Sequence, residues 1–384
     1  MLRYTYISLT MERSDLINDR QRPSMLLGII LIGVLLLNGL HFMMPFDALN
    51  PYEYLSGSNL SSYQVLDIFI GGAIVPLVAL AIGYTIHQFK SYGIGNLAKI
   101  TAFVLALGIV QTFFIFAFDF LPGLALMTLV ALFFLRTGSA VTFISGMALF
   151  LFHLVANVLV SLFTDIGSPS DIIYTALQDV NNYTSVFTNT DYFAMISLNI
   201  EIFSANGPST LYGLVFTVLP WLLIGISLGQ IGIAKFAKSN LLLSTFLFII
   251  LAGGGMAIKI IQVLTLGSYS GRLLAENFGG PVLALGYFVL LIQLTVMVPA
   301  RILEIFGRMG RYALTLYILS NVIFMLIFYG IGMRLYGELE ITGMIWMALV
   351  VYIFLMVLAT VMHRFKISSL EKLFTNNSEN GINK

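Results

Sequence analysis

The sequence has no cysteine, four histidines, two tryptophans and little charge, with Lys, Arg, Asp and Glu making up only 10% of its 384 residues. Without cysteine there is no disulfide, no thiolate metal site and no cysteine nucleophile. With so few histidines a multi-histidine metal centre is not expected either, and no bound cofactor is predicted. A soluble globular chain carries roughly 25% charged residues, so a water-soluble fold of this length is excluded. Lys and Arg number 19 against 18 Asp and Glu, which gives no basic surface for nucleic acid and no acidic solvated tail. P-loop, dinucleotide-binding, HExxH and G-x-S-x-G patterns are also missing. ATP-driven transport by this chain alone, and hydrolase chemistry of those classes, are therefore not indicated.

What the chain has in abundance is apolar side chains, at 59% of residues. A helix needs about 20 mostly apolar residues to cross a hydrocarbon core of roughly 30 Å. Segments 24–46, 65–89, 97–118, 120–135, 140–163, 209–233, 241–266, 281–299, 311–333 and 341–362 answer to that description. The reading is an all-α, polytopic integral membrane protein with about ten transmembrane helices, of which 120–135 is short and either tilted or re-entrant.

The connecting segments alternate in charge, and short cytoplasmic loops are enriched in Lys and Arg. One side carries Arg13, Arg20, Arg22, Lys90, Lys99, Arg136, Lys235, Lys238, Arg301, Arg308, Arg311, Arg364 and Lys366; the other has only Arg272 and Arg334 together with most of the acids. Both termini are thus expected to be cytoplasmic. The first apolar run reads as an uncleaved span, with Met11 an alternative start to Met1. The expected organisation is a cytoplasmic segment 1–23, a first five-helix half 24–163, an acidic extracytoplasmic loop 164–208, a second five-helix half 209–362 and a cytoplasmic tail 363–384. The halves show no residue-level repeat of the kind that marks inverted-repeat transporters.

An ionisable residue at membrane depth costs about 2.5–3.5 kcal/mol on insertion scales, so each needs a partner or a task. Asn38 and His41 lie one turn apart near the outer end of the first span, Asp67 begins the second, and Asp119 sits at the junction of the third and fourth. His153 and Asn157 are spaced i, i+4 in the outer half of the fifth. Lys259, roughly 27 Å along the seventh at 1.5 Å per residue, also falls near the outer surface. Two readings stand. In one, an outward-opening polar cavity uses His153 or His41 as a base, oriented by Asp67 or Asp119, with Asn38, Asn157 and Lys259 binding substrate. In the other, His and Asn make interhelical hydrogen bonds and Lys259 snorkels to headgroups. Gly71, Gly72, Pro76, Pro220 and Gly253 to Gly255 can break helices or pack them closely. The segment Arg301 to Arg311 is the densest positive cluster. Arg308 and Arg311 can grip a phosphate, or simply anchor the cytoplasmic side.

The stretch Gly310-Arg311-Tyr312-Ala313-Leu314-Thr315-Leu316-Tyr317-Ile318-Leu319-Ser320 resembles the late signature of the YeiB-like family of multi-pass bacterial membrane proteins, which carry a C-terminal domain of unknown function. Asp19-x-x-Arg22 with Leu26-Leu27-Gly28, Leu80 to Tyr84, Asp119-Phe120-Leu121, Leu228-Gly229, and Arg364-Phe365-Lys366 with Leu370-Glu371 are similar to further family segments in the same order. Pro23 stands in place of the opening Gly, Gly33 in place of the usual Asn, and Leu316 in place of the signature Asn. More distantly, Leu66-Asp67-Ile68-Phe69 is similar to the helix opening of transmembrane acyltransferases such as the lysosomal heparan-alpha-glucosaminide N-acetyltransferase. The resemblance implies a bacterial cell membrane protein with an acyl-CoA donor held near Arg308 and Arg311, and a small-molecule or glycan acceptor near the outer His and Asp residues. An exporter of a small molecule or peptide, and a non-catalytic immunity or partner protein acting through 164–208, are the alternatives.

Overall fold

The computed structural model describes residues 21–44, 50–164, 180–265, 268–367 and 370. Most of the expected segment 1–23, residues 165–179 of the expected loop, and 371–384 of the tail lie outside the described residues, as do Asp19 and Glu371. The described residues form helices and turns, with no strand among them.

The long elements are α1 (Arg22–Met43), α2 (Gly57–Ile70), α3 (Ile74–Gln88), α4 (Ile94–Phe114), α5 (Leu121–Ala131), α6 (Ser139–Thr164), α7 (Tyr192–Thr217), α8 (Leu219–Ile231), α9 (Leu241–Leu264), α10 (Gly280–Met297), α11 (Ala300–Arg311), α12 (Ala313–Phe328) and α13 (Ile341–Arg364). Among the described residues eight helices are long and apolar enough to cross a membrane, and α11 with α12, bent by 70°, make a ninth if the pair is one span. The remaining expected span, near 120–135, is α5 followed by a 3-10 turn, Leu132–Arg136. Its length is roughly 26 Å from the ideal rises, short of a full crossing. It nevertheless runs antiparallel to α4, starting where Pro122 meets Gly108 and ending where Gln230 Nε2 donates to the Thr137 carbonyl at 3.0 Å.

The apolar majority does two jobs. Two thirds of α1 (67%) is buried, whereas α6 and α9 are only 17% buried and carry exposed Phe152, Val155, Leu242, Phe246 and Ile249. A central layer built on α1, α3, α8 and α10 is thus surrounded by rim helices that leave an apolar outer surface, as a hydrocarbon solvent requires. This is a multi-pass membrane protein.

Close approach of backbones sets the positions inside the central layer. A Cβ on Gly310 would lie 1.7 Å from the Ser24 carbonyl oxygen, and one on Gly28 would lie 2.0 Å from that of Phe306. Only glycine lets α11 lie this tightly across the start of α1. The basic residues 22, 136, 235, 238, 308, 311 and 364 gather at this end of the bundle, and α1 runs from it to Met43 at the opposite end.

The segment 164–208 is not a simple loop. Residues 180–187 are helical and α7 begins at Tyr192, capped by Asp191, whose carboxylate accepts from the Phe193 and Ala194 amides at 3.0 and 3.2 Å. Met195, Leu198 and Ile202 form its buried stripe. Helical spacing at these positions was present in the sequence, masked by the polar residues between them.

Candidate functional site

Two buried polar clusters form inside the bundle, and the candidate residues divide between them and a third position. The first lies at a break in the second span. The helix α2 ends at Ile70, Gly72 takes a left-handed φ of 65°, and α3 starts at Ile74. A Cβ on Gly72 would come within 2.8 Å of the Glu276 backbone, and one on Gly280 within 2.5 Å of Gly72 itself. The break therefore nests against a π-helical turn, Ala275–Gly279, that precedes α10. Such turns are concentrated at functional sites. One carbonyl set loose by the break, that of Phe69, accepts from the Tyr287 hydroxyl at 3.1 Å.

One turn before the break, Asp67 is 4% exposed and pairs with Lys259, which is fully buried, at 2.9 Å. The second carboxylate oxygen accepts from the Tyr52 hydroxyl at 2.9 Å, and Gln262 Oε1 lies 3.5 Å from Lys259 Nζ. Burial and the Asp67 carboxylate hold the Tyr52 phenol far above its ordinary range, so it remains a donor. Of the two readings of Lys259, snorkelling to headgroups is not what the structure shows: its ammonium points into the protein and pairs with the Asp67 carboxylate. Of the glycines singled out in its helix, Gly255 packs against Gly279 and Leu283, while Gly253 and Gly254 face open space.

The second cluster joins α1, α4, α12 and the turn before α5. Asn38 Nδ2 donates to Asn321 Oδ1 at 2.8 Å, both side chains being buried. The Asp119 carboxylate accepts from the Tyr317 hydroxyl, from Gln111 Nε2 at 2.6 Å and from the Leu121 amide at 2.9 Å. Gln111 Oε1 and Asn321 Nδ2 are buried without a hydrogen-bond partner. An orphan acceptor and an orphan donor in one cluster are costly in an apolar surround, which marks the place where a polar guest would be welcome. His41 sits one turn beyond Asn38, its Nδ1 donating to the Leu37 carbonyl at 2.9 Å and its ring 6.5 Å from that of Phe118. In the neutral ring this tautomer carries its lone pair on Nε2.

His153 belongs to neither cluster. Its ring stacks on Phe216 at 5.6 Å, its Nε2 lies 3.3 Å from Asn277 Oδ1 in the π-helical turn, and Asn157 Nδ2 donates back to its carbonyl at 2.9 Å. The structure thus gathers Asn38 and Asp119 around α12 through Asn321 and Tyr317, leaves His41 one turn from Asn38 against Phe118, pairs Asp67 with Lys259, and keeps His153 with Asn157. Among the described residues no group of three or more His, Asp or Glu side chains could hold a metal ion.

At the basic end, Arg301, Glu304, Arg308 and Arg311 recur at helical spacing along α11, while Leu303 and Gly307 are buried. Arg308 Nη2 pairs with Glu304 at 2.8 Å and Arg311 is exposed at the bend into α12. The residues that sequence reasoning missed are Tyr52, Gln111, Tyr317, Asn321 and Asn277. Tyr317 and Asn321 did leave a signal: they are spaced i, i+4 in the signature helix, the second lying one residue past its recognised end.

Comparison with known families bears on this same stretch, since residues 228–368 match the family described as Protein of unknown function (DUF418). The C-terminal part of this chain is thus similar to the DUF418 family. No curated protein and no solved structure matches the chain. The matched stretch holds Lys259, Asn277, Arg308, Arg311, Tyr317 and Asn321, whereas Asn38, Asp67, Gln111, Asp119 and His153 precede it. Each polar cluster is therefore assembled across the start of that stretch.

Two outcomes follow. Asp67→Asn or Lys259→Met alone should lower stability by about 3–5 kcal/mol, because each leaves a polar or charged partner buried, and the double variant should recover most of the loss. Thermal unfolding of the four proteins in detergent measures this, and strictly additive losses would contradict it. Desolvation, opposed by hydrogen bonds from Tyr317, Leu121 and Gln111, raises the Asp119 carboxyl from 3.8 to about 7. Its contribution to stability is present below about pH 4 and is lost as pH rises through about 7. The melting temperature of the native protein should accordingly fall between about pH 4 and 7, and more steeply than that of Asp119→Asn; parallel profiles would refute the assignment.

Proposed function

We propose that the chain transfers an acyl group from a cytoplasmic acyl-CoA to an acceptor on the other face of a bacterial cell membrane. One observation carries this reading. The helix α12 brings Tyr317 and Asn321 into the Asn38 and Asp119 cluster, and through the 70° bend at its start it is continuous with α11, which bears Arg308 and Arg311. From Ala313, the first residue past the bend, to Asn321 is about 12 Å along α12 at 1.5 Å per residue. A thioester on the long arm of CoA, with its phosphates on the arginines, spans a distance of that order.

In this reading the acceptor's amine or hydroxyl attacks the thioester carbonyl. The new carbon–nitrogen or carbon–oxygen bond replaces the carbon–sulfur bond, the acceptor's proton passes to His41 Nε2 or the Asp119 carboxylate, and the CoA thiolate leaves to take up a proton. Asn321 Nδ2 is the donor available to the carbonyl oxygen as it becomes an oxyanion. The arginines bind donor by bidentate contacts, for which Arg308 exchanges its Glu304 partner for phosphate.

The second reading, transport, rests on the broken α2–α3 span and its buried Asp67–Lys259 pair. Discontinuous helices beside an intramembrane charge line substrate and ion paths in transporters.

Release of free CoA thiol from acyl-CoA by the purified chain separates the two. The acyl-transfer reading expects saturable release, a KM raised about tenfold or more in an Arg308→Ala, Arg311→Ala double variant, and a rate about 100-fold lower in His41→Ala. Absence of both binding and release at millimolar acyl-CoA would overturn it in favour of transport.

A further inference from the structure

The end of the bundle opposite Arg308 holds a cavity of about 300 Å³ whose lining includes Tyr54, Thr184, Thr188, Arg334, Tyr336 and Glu338. Two independent features single out Arg334 within it. Its end of the molecule carries few basic residues, and with Arg272 it is one of two exceptions to the charge alternation of the chain. Its backbone is left-handed, with φ of 58°, a conformation that a side chain other than glycine adopts at a cost of about 1 kcal/mol or more. That conformation is enforced. The turn after α12 folds back on the helix end, the amides of Met333, Leu335 and Tyr336 donating to the Leu326, Ile327 and Phe328 carbonyls at 2.7, 3.2 and 2.8 Å. The Arg334 amide donates to the Tyr329 carbonyl at 3.1 Å and the Gly337 amide to that of Met43 at 2.8 Å.

A strained residue persists where its surroundings over-determine it, and here they fix an exposed guanidinium at the mouth of a polar cavity. Glu338, one helical turn's length away in sequence, lines the same cavity, and among the described residues no ion pair joins the two. The threonine hydroxyls, the tyrosine rings and the Glu338 carboxylate offer hydroxyl-binding groups beside one anion-binding fork. Below the cavity, Phe42, Phe187 and Tyr329 form an aromatic layer, with Phe187 stacked on Tyr329 at 4.5 Å and Phe42 tilted against it at 5.5 Å. Asn38 lies about one turn beneath Phe42 on α1. The cavity thus stands over the second polar cluster, with an aromatic layer between them.

We infer that this cavity binds a small polyhydroxylated solute bearing a carboxylate or phosphate, with the anionic group on Arg334. Naming that solute as the acyl acceptor rests on the acyl-transfer reading, whereas the binding itself does not. Glucuronate and glucose 6-phosphate are suitable probes, and glucose is their uncharged counterpart. Isothermal titration of the full chain in neutral detergent should show saturable binding of at least one charged probe, with glucose at least about tenfold weaker. Arg334→Gly should abolish that binding while leaving the melting temperature unchanged or raised, because glycine relieves the left-handed strain. Arg334→Lys should retain part of it.

Charged probes that bind no better than glucose, or not at all, would overturn the inference, as would equal binding by Arg334→Gly. Release of CoA measured on the same preparation keeps the two claims apart. A chain that releases CoA but binds neither charged probe fails only the inference, and one that binds them without releasing CoA fails only the transfer reading.

Discussion

Lys259 and Asp67 sit 2.9 Å apart in a part of the molecule where neither can reach water. In an apolar surround a charge has to be met by protein, and so does every backbone group released by a helix break. The Gly71–Gly72 interruption, the π-helical turn that nests in it and the α9 helix that delivers Lys259 are consequences of meeting both demands at one place. Tyr52 closes the second carboxylate oxygen and Tyr287 takes up the Phe69 carbonyl, so both carboxylate oxygens and this released carbonyl are met by protein. The pair's two charges come from either side of residue 228, where the similarity to the DUF418 family begins. The constraint therefore also ties the two parts of the chain together.

The second cluster differs in the one respect that matters for chemistry. It leaves Gln111 Oε1 and Asn321 Nδ2 unmet, and it holds a carboxylate whose proton affinity has been raised by burial. A closed ion pair stabilises or specifies a structure. An incomplete network with a titratable member is suited to receive a substrate. This contrast, rather than the presence of polar residues at depth, is what distinguishes the neighbourhood of Asn38, Asp119, Tyr317 and Asn321 as the candidate site and gives His153 a secondary place.

Much of the helical layout was legible in the sequence because long apolar runs and charge alternation are one-dimensional signals. The start of α1 at Arg22, the α9 helix and the α13 helix follow the expected segments within a few residues. Depth was legible for the same reason: Asn38, Asp67, His153 and Lys259 all lie away from the basic end. Lateral position was not. Nothing in the spacing of Asp67 and Lys259, 192 residues apart, says that they touch, so the sequence left a polar-cavity role and snorkelling both open for the lysine and pointed to neither partner. The α7 helix was hidden because acids and Ser, Thr and Asn lower its hydropathy, although Met195, Leu198 and Ile202 keep helical spacing. Asn321 escaped because motif recognition stopped at Ser320, and its role emerges only against Asn38 from the first span.

The account depends on the two ends of the bundle facing opposite sides of a membrane, with the Arg308 and Arg311 end in the cytoplasm and Arg334 outside. The absence of cysteine makes this directly measurable, since any engineered thiol is the only one present. Exposed Glu340 and Ser239 mark the two ends. In intact cells a membrane-impermeant maleimide should label Glu340→Cys and spare Ser239→Cys, which should become reactive only after permeabilisation. Labelling of Ser239→Cys from outside, or of both positions alike, would contradict the orientation and with it the assignment of donor and acceptor ends.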